Sequence, residues 1–304
     1  MGRAPHVFIL SPARSRGKFP GTHMTLSIRQ IEPGVTQFGL SSWRGRAVGY
    51  EVSAYLLHGV LVDTGFPGAQ RDFLAEVRAR ALRGAVVTHW HEDHAGNVPA
   101  LAAMGLPLLM HEACESMLRR RPSIAHYRRF VWGRPTRLSG PMLDFDPSPL
   151  RVIELPGHTA DHLVVWDAEH RILVSGDLFL GVKVRVAHQH ESPMVLVRSL
   201  RAAAALEPRI LLDAHRGVVA NATAMLRGKI GWMEETIGEI QSLAATGCGE
   251  REIQRRVLGR EAFVGWVSLG EYSKRALVKA VLRISEVAAE NLRSGHTSPA
   301  PFPR

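Results

Sequence analysis

Residues 88–96 read Thr-His-Trp-His-Glu-Asp-His-Ala-Gly, and no other stretch limits the fold and chemistry of this chain so tightly. His89, His91 and His94 stand among Glu92 and Asp93, directly behind the apolar run 84–87. Imidazole and carboxylate are the donors that borderline divalent metals accept, and so many of them in a dry interior would be costly without an ion to share. A solvated polar turn could carry the same residues. Against it stand three further donors: His158 in Leu-Pro-Gly-His-Thr, Asp177 in Val-Ser-Gly-Asp-Leu and His215 in Asp-Ala-His-Arg-Gly. Each follows a segment (150–155, 170–174 and 209–212) with the β-branched and leucine content of a half-buried strand, and each lies close to Gly or Pro. Strand ends can converge on one point at the edge of a sheet, and glycine lets backbone approach an ion closely.

In order, and over about residues 27–230, His89-x-His91-x-Asp93-His94, Gly157-His158, Gly176-Asp177 and Ala214-His215 resemble the motifs of the metallo-β-lactamase superfamily. Asp63 in Leu-Val-Asp-Thr-Gly matches the acidic position behind that family's ligands. The resemblance implies an α/β fold, the four-layer αβ/βα sandwich, with two central sheets, helices outside and a dinuclear site at one edge. It places His89, His91 and His158 on one metal and Asp93, His94 and His215 on a second, with Asp177 bridging them. It further implies a hydrolase in which a metal-activated water, oriented by Asp93, attacks a carbonyl carbon. Family members that degrade β-lactams often carry cysteine where this chain has Asp177, whereas Cys114 and Cys248 lie outside every motif. The all-His/Asp set therefore resembles the glyoxalase II and lactonase side, and a small thioester or lactone is expected ahead of a β-lactam or an RNA phosphodiester. Zinc is the expected metal, with iron and manganese suited to the same donors. Two readings of other classes are a mononuclear iron enzyme like sulfur dioxygenase and a non-catalytic, nucleic-acid-binding descendant. The complete second ligand set speaks against both.

The 304 residues, 45% of them hydrophobic, suffice for one large domain plus an appendage. Two cysteines so far apart make no disulfide framework and read as reduced thiols, which favours the cytoplasm. No apolar run approaches the roughly 18 residues of a membrane span, and the short run 6–10 lacks the cleavage site of a signal peptide. A net charge of +10 raises the question of nucleic acid, yet Arg3, Arg14, Arg16 and Lys18 all precede Met24 and leave +6 for the rest. Arg119-Arg120-Arg121 and Arg128-Arg129, near Tyr127, Phe130 and Trp132, form either an RNA-facing patch or, in the preferred reading, a surface or lid beside the metals. The expected partner is a small, anionic molecule. A homodimer is compatible with this reading; membrane and nucleic acid are not expected.

Three segments are expected. Residues 1–23, rich in Pro, Gly, Ser and Arg, read as a disordered basic tail. Residues 24–230 read as the catalytic domain, with paired strands over 43–65, a helix over 70–82, a short helix over 97–104 and an irregular, arginine-rich lid over 111–149. Residues 231–304 read as a helical appendage, similar to the winged-helix-like one of some family members, which is expected to pack against the catalytic domain or line its pocket in preference to binding nucleic acid. Candidate substrate contacts are Tyr127 in the lid, and Lys183 and His190 in the segment after Asp177. Lys183 is expected to meet an anionic group of the substrate, since an ammonium facing two dications without a counter-charge is unfavourable.

Overall fold

The computed structural model describes residues 15–16, 24–47, 49–120 and 123–293. The expected disordered tail lies outside the described residues except for β1 (Ser15–Arg16), which pairs antiparallel with β2 (Met24–Glu32); Arg121 lies outside them as well. After β3 (Val35–Ser42) comes a short helix, α1 (Trp43–Ala47), where the sequence reading expected strand. Strands β4 (Val52–Leu57) and β5 (Val60–Val62) then form a hairpin around His58 and Gly59, both at positive φ, the two-residue turn whose twist matches antiparallel strands. Helix α2 (Gln70–Arg78) carries the chain over to β6 (Gly84–Val86), and α3 (Val98–Ala103) to β7 (Leu108–Leu109), so β5, β6 and β7 run parallel. The sheet order is β1-β2-β3-β4-β5-β6-β7.

The expected irregular lid contains two helices, α4 (Glu112–Arg120) and α5 (His126–Trp132). A second sheet follows, built from β8 (Arg151–Glu154), β9 (Leu163–Asp167), β10 (Ile172–Gly176), and, after β11 (Ala187–His188) and α6 (Pro193–Ala205), β12 (Ile210–Asp213) and β13 (Gly217–Ala220). Its order is β13-β12-β10-β9-β8, with β10 and β12 parallel. The chain closes with α7 (Ala222–Ala245), α8 (Glu250–Ile253), a π-helical turn at Gln254–Leu258, α9 (Phe263–Val267), β14 (Tyr272–Ser273) and α10 (Lys274–Arg293).

Strand alternation sorts the apolar side chains into three cores, which is what four layers require. Val52 and Ala54 of β4 face α2 and α3 through a cluster with Phe73, Val77 and Leu101. Tyr55, Leu57, Val60 and Val62 face the other way, onto Val165, Ile172, Val174 and Leu212 of the second sheet. Leu173 and Leu211 point outward again, under α6 and α7 with Leu200, Leu226 and Met233. The architecture is the αβ/βα sandwich.

The helices after the boundary expected at residue 230 pack against the second sheet. Residue 230 lies inside the continuous helix α7, and Ile253, Leu258, Leu277, Val278 and Val281 belong to the same core as the second sheet. Strand β14 pairs antiparallel with β11, Ala187 opposite Ser273, instead of forming a wing of its own. Among the described residues no helix is long and apolar enough to cross a membrane.

Candidate metal centre

Five strands deliver the site. Asp63 follows β5, the 88–94 loop follows β6, His158 lies in the loop after β8, Asp177 follows β10, and Asp213 ends β12 two residues before His215. The two sheet edges are sewn together here, Leu163 N–H donating to Thr88 O (2.7 Å) and Ser53 N–H to Ala214 O (2.7 Å). Glycine is required at the bend before Asp177. Gly176 has φ +49°, and a Cβ there would stand 2.9 Å from both His162 Nε2 and Thr88 Oγ1.

The seven expected ligands come together as two groups, all of them buried except the half-buried His215. His89, His91, His158 and Asp177 offer one donor atom each within 4.8 Å of one another, and so do Asp93, His94 and His215. Asp177 stands between the groups with one oxygen toward each. Its Oδ2 is 3.4 Å from His158 Nε2, and its Oδ1 is 3.3 Å from His94 Nε2 and 3.4 Å from His215 Nε2. Asp93 Oδ2 is 3.5 Å from His215 Nε2.

The far side of four of the five rings is held. His94 Nδ1–H donates to Asp63 Oδ2 (2.7 Å), and Asp63 is fixed by Thr88 through its N–H (2.8 Å) and hydroxyl (2.9 Å). His89 Nδ1 lies 3.0 Å from that hydroxyl, His158 Nδ1 2.6 Å from Glu191 Oε1 and His215 Nδ1 2.8 Å from Glu51 O. Such outer contacts leave Nε2 of these rings turned to the centre. His91 enters the other way, Nδ1 inward, 3.0 Å from His89 Nε2 and 3.2 Å from His158 Nε2. Inside the centre His94 Nε2 and Asp177 Oδ1 are buried without a hydrogen-bond partner, as is His91 Nε2 on the outer side of its ring. Buried polar atoms are rarely left so, and cations shared among them would remove the cost; the donor set fits divalent metals.

Electrostatics divides the two groups. Burial drives His89 and His91 well below the usual imidazole range. Burial opposes charge on His94 and His215 too, but the carboxylates of Asp177 and Asp93 outweigh it and hold both well above that range. Asp177, whose burial is overcome by His94 and His215, stays well below the ordinary carboxylate range. This half of the site demands positive charge.

Several supporting residues escaped the sequence reading. His162 Nε2 accepts the Asp177 N–H (3.1 Å), and burial lowers its pKa to about 3, so the ring is neutral. Asp161 Oδ2 accepts Trp90 N–H (2.9 Å) and steadies the His89–His91 loop. Glu92 turns away from the centre and grips Arg128 of α5 bidentately, at 2.7 and 2.6 Å, fully buried. Arg128 also reaches Glu271 (3.0 Å), which lies 3.1 Å from His188 Nε2. The arginine-rich segment is thus anchored by an internal ion pair.

The three expected substrate contacts lie in different surroundings. Lys183 is exposed, while its neighbours Val184 and Val186 line a narrow, mostly apolar cavity. His190 is exposed, and the buried His188 stands beside the first group in its place, its ring 5.7 Å from that of His91. The Tyr127 hydroxyl is buried without a hydrogen-bond partner, and burial, then the nearby Glu271 carboxylate, raises its pKa. Tyr50, read as a strand residue, precedes β4 and stands beside His215, rings 6.4 Å apart. The lysine that does reach the interior is Lys229 of α7. It donates to Phe179 O and lines the same cavity as Asp177 and Glu191, and burial lowers its pKa to about 8.

Comparison with known proteins agrees with this geometry. The chain is 30% identical over 152 residues to the beta-lactamase-like protein 2 homolog of Caenorhabditis elegans, covering 47% of this chain and 49% of that one. It is 31% identical to a hydroxyacylglutathione hydrolase of Bdellovibrio bacteriovorus, over 40% of this chain and 44% of the relative, and 27% identical to the thioesterase pkgB of Emericella nidulans, over 70% and 63%. The chain spans about half or less of the length of the first of these relatives. Among solved structures, a metallo-beta-lactamase from Erythrobacter litoralis superposes with a TM-score of 0.52 at 20% identity, over 69% of this chain and 96% of the other; FIM-1 from Pseudomonas aeruginosa gives 0.53 at 20%, over 69% and 95%. At that identity they show the fold. The model of the metallo-beta-lactamase superfamily matches residues 48–215, more than half of the 304, and its match ends on His215 of the second group. With its strand-end motifs, four layers and sequence match all in agreement, this chain belongs to the metallo-beta-lactamase superfamily.

Proposed function

We propose that the chain is a dinuclear metallohydrolase of a small acyl substrate, a thioester or lactone first. The carrying observation is Asp177, buried between two donor groups with one oxygen toward each. His89, His91 and His158 would hold one ion and Asp93, His94 and His215 the other, with Asp177 shared. Divalent ions there, zinc first with iron or manganese accepted by the same donors, would supply Lewis acidity that activates water near neutral pH and polarises a carbonyl. In the net reaction the acyl carbon gains the hydroxyl of water and the leaving thiol or alcohol gains its proton.

The chain's own residues do the rest. Asp63 and Glu191 fix His94 and His158, so their donor atoms need no reorganisation when charge develops. Asp93, with Oδ2 at the mouth of the second group, would accept a hydrogen from the attacking water and direct it toward the acyl carbon. Trp132 and Tyr50, whose rings meet edge to face 6.0 Å apart, wall the side next to His215. The preference for thioesters rests on the all-His/Asp donor set and on relatives called a thioesterase and a hydroxyacylglutathione hydrolase.

The test combines elemental analysis of protein purified without added metal with a panel of thioesters, lactones, β-lactams and phosphodiesters. Two ions per chain with thioester or lactone turnover are expected. Full activity with one firmly bound ion would overturn the dinuclear reading, and turnover of β-lactams or phosphodiesters alone would overturn the substrate class.

A further inference from the structure

A third group of donors lies at the opposite edge of the sandwich. Asp177 follows the C-terminal end of β10, whereas His170 precedes its N-terminal end, and five strand residues put about 17 Å between the two edges. There Asp167, at the end of β9, meets His170 of the following turn and His58 of the β4–β5 turn. His58 Nε2 is 2.8 Å and His170 Nδ1 2.9 Å from the same oxygen, Asp167 Oδ2, and one donor atom from each residue falls within 4.8 Å of the others. The other carboxylate oxygen is already committed, accepting the His170 N–H at 3.1 Å.

We propose that His58, Asp167 and His170 form a separate zinc site that ties the two sheets together. The donors are two imidazoles and a carboxylate, a set that zinc binds with three protein ligands and an open position. The Asp167 side chain is 3% exposed while those of His58 and His170 are 31% and 43% exposed, so the carboxylate is anchored and the open face looks to solvent, where water can complete the shell. Tetrahedral bonds of about 2.0–2.2 Å set neighbouring donors about 3.3 Å apart. The imidazoles therefore need to withdraw from Asp167 by about half an ångström, a small ring movement at two exposed side chains. Nearby cations do not block the ion. Arg209, which reaches His170 O, is paired with Glu32 (2.8 Å), and Arg83, beside His58 O, is turned to the carbonyls of Asp146 and Ser148.

The arrangement crosses the sandwich. His58 belongs to the first sheet, Asp167 and His170 to the second, and the core between them is apolar. An ion held by both turns would bind the folded chain and not the unfolded one, raising the melting temperature by mass action. It would leave the catalytic edge untouched.

The experiment uses the full chain with its native metal content, dialysed to equilibrium against micromolar zinc and compared with His170→Gln and with His58→Asn, which tolerates the left-handed backbone at position 58 (φ 50°). Zinc per chain and melting temperature are read, independently of turnover. Wild type is expected to hold one more zinc than either variant and to gain several degrees on zinc addition that both variants lack, at equal hydrolytic activity. Equal zinc content in all three, or a zinc-induced stabilisation that persists in both variants, would overturn the proposal and leave the trio as a hydrogen-bonded clasp. Because the comparison counts the difference between chains, it stands whether or not the catalytic site proves dinuclear.

Discussion

Asp177 and Asp213 are both buried aspartates near the end of a strand, yet their oxygens face different groups. Those of Asp177 look at three imidazoles; those of Asp213 accept backbone N–H groups, Leu180 at 2.8 Å, His215 at 2.9 Å and Arg216 at 2.8 Å. Asp177→Ala is therefore expected to empty the centre and lower turnover by more than about 100-fold, the upper range for losing even an outer-shell partner. Asp213→Ala should keep its metal while losing a few kcal/mol of stability, because orphaned buried amides carry the desolvation cost. Elemental analysis and urea denaturation of both variants check this; metal retained in Asp177→Ala would remove its bridging role. Lys229 tests burial in another way. Its pKa is about 8 in the folded chain against an ordinary value of 10.5, so between these the unfolded chain holds a proton that the folded one has lost. Stability contributed this way is present above pH 10.5 and lost as pH falls through 8. Relative to Lys229→Met, the wild type should gain roughly 3 kcal/mol between pH 8 and 10.5. A flat difference would show that the ammonium is solvated. The ligand cluster was legible because each member carries metal-donor chemistry beside a local turn signal. Lys229 had a fainter signal, a cation at one of the core positions of the stripe Leu226, Met233, Ile237 and Ile240.

At the scale of elements, periodicity located the strands and helices but not how they are tied. Helix α2 ended at Arg78 instead of Leu82, since Arg80 folds back to the carbonyl of Glu76 and the chain turns toward β6. The expected strand at 43–47 became α1, where the Ser42 hydroxyl accepts Gly45 N–H at 2.8 Å and starts a turn. Nothing local could announce the tie between the 88–94 loop and α5, because Glu92 and Arg128 are 36 residues apart, and Glu271 is 143 further from Arg128. A pair so buried is expensive to break. Glu92→Ala should cost about 3–5 kcal/mol by leaving the guanidinium without its main partner. Adding Arg128→Met to it should recover much of that loss, so denaturant unfolding of the two singles and the double should give strongly non-additive values. Additive losses would mean that the contact does not couple α5 to the metal loop.

For the whole molecule, the question is whether the C-terminal helices are an addition to the sandwich or its fourth layer. Composition and helical spacing suggested an appendage, because a sequence displays where helices are and not which core they close. The structure puts Ile253, Leu258, Leu277, Val278 and Val281 into the cluster beneath the second sheet, each less than a tenth exposed. At about 2 kcal/mol for each buried side chain, these five rival the 5–15 kcal/mol that holds a typical domain folded. Glu271 and β14 add the ties to Arg128 and β11. A chain ending after Ala245 is therefore expected to lose its cooperative melting transition and bind a hydrophobic dye. A chain beginning at Met24 gives up, among the described residues, the two-residue pairing of β1, and should melt within a few degrees of the full chain. Circular dichroism and calorimetry on both truncations separate the cases. If the chain ending at 245 melts cooperatively and keeps its metal, the helices are independent of the catalytic sandwich; if it does not, their removal has opened the core on which Asp177 and its loop are mounted.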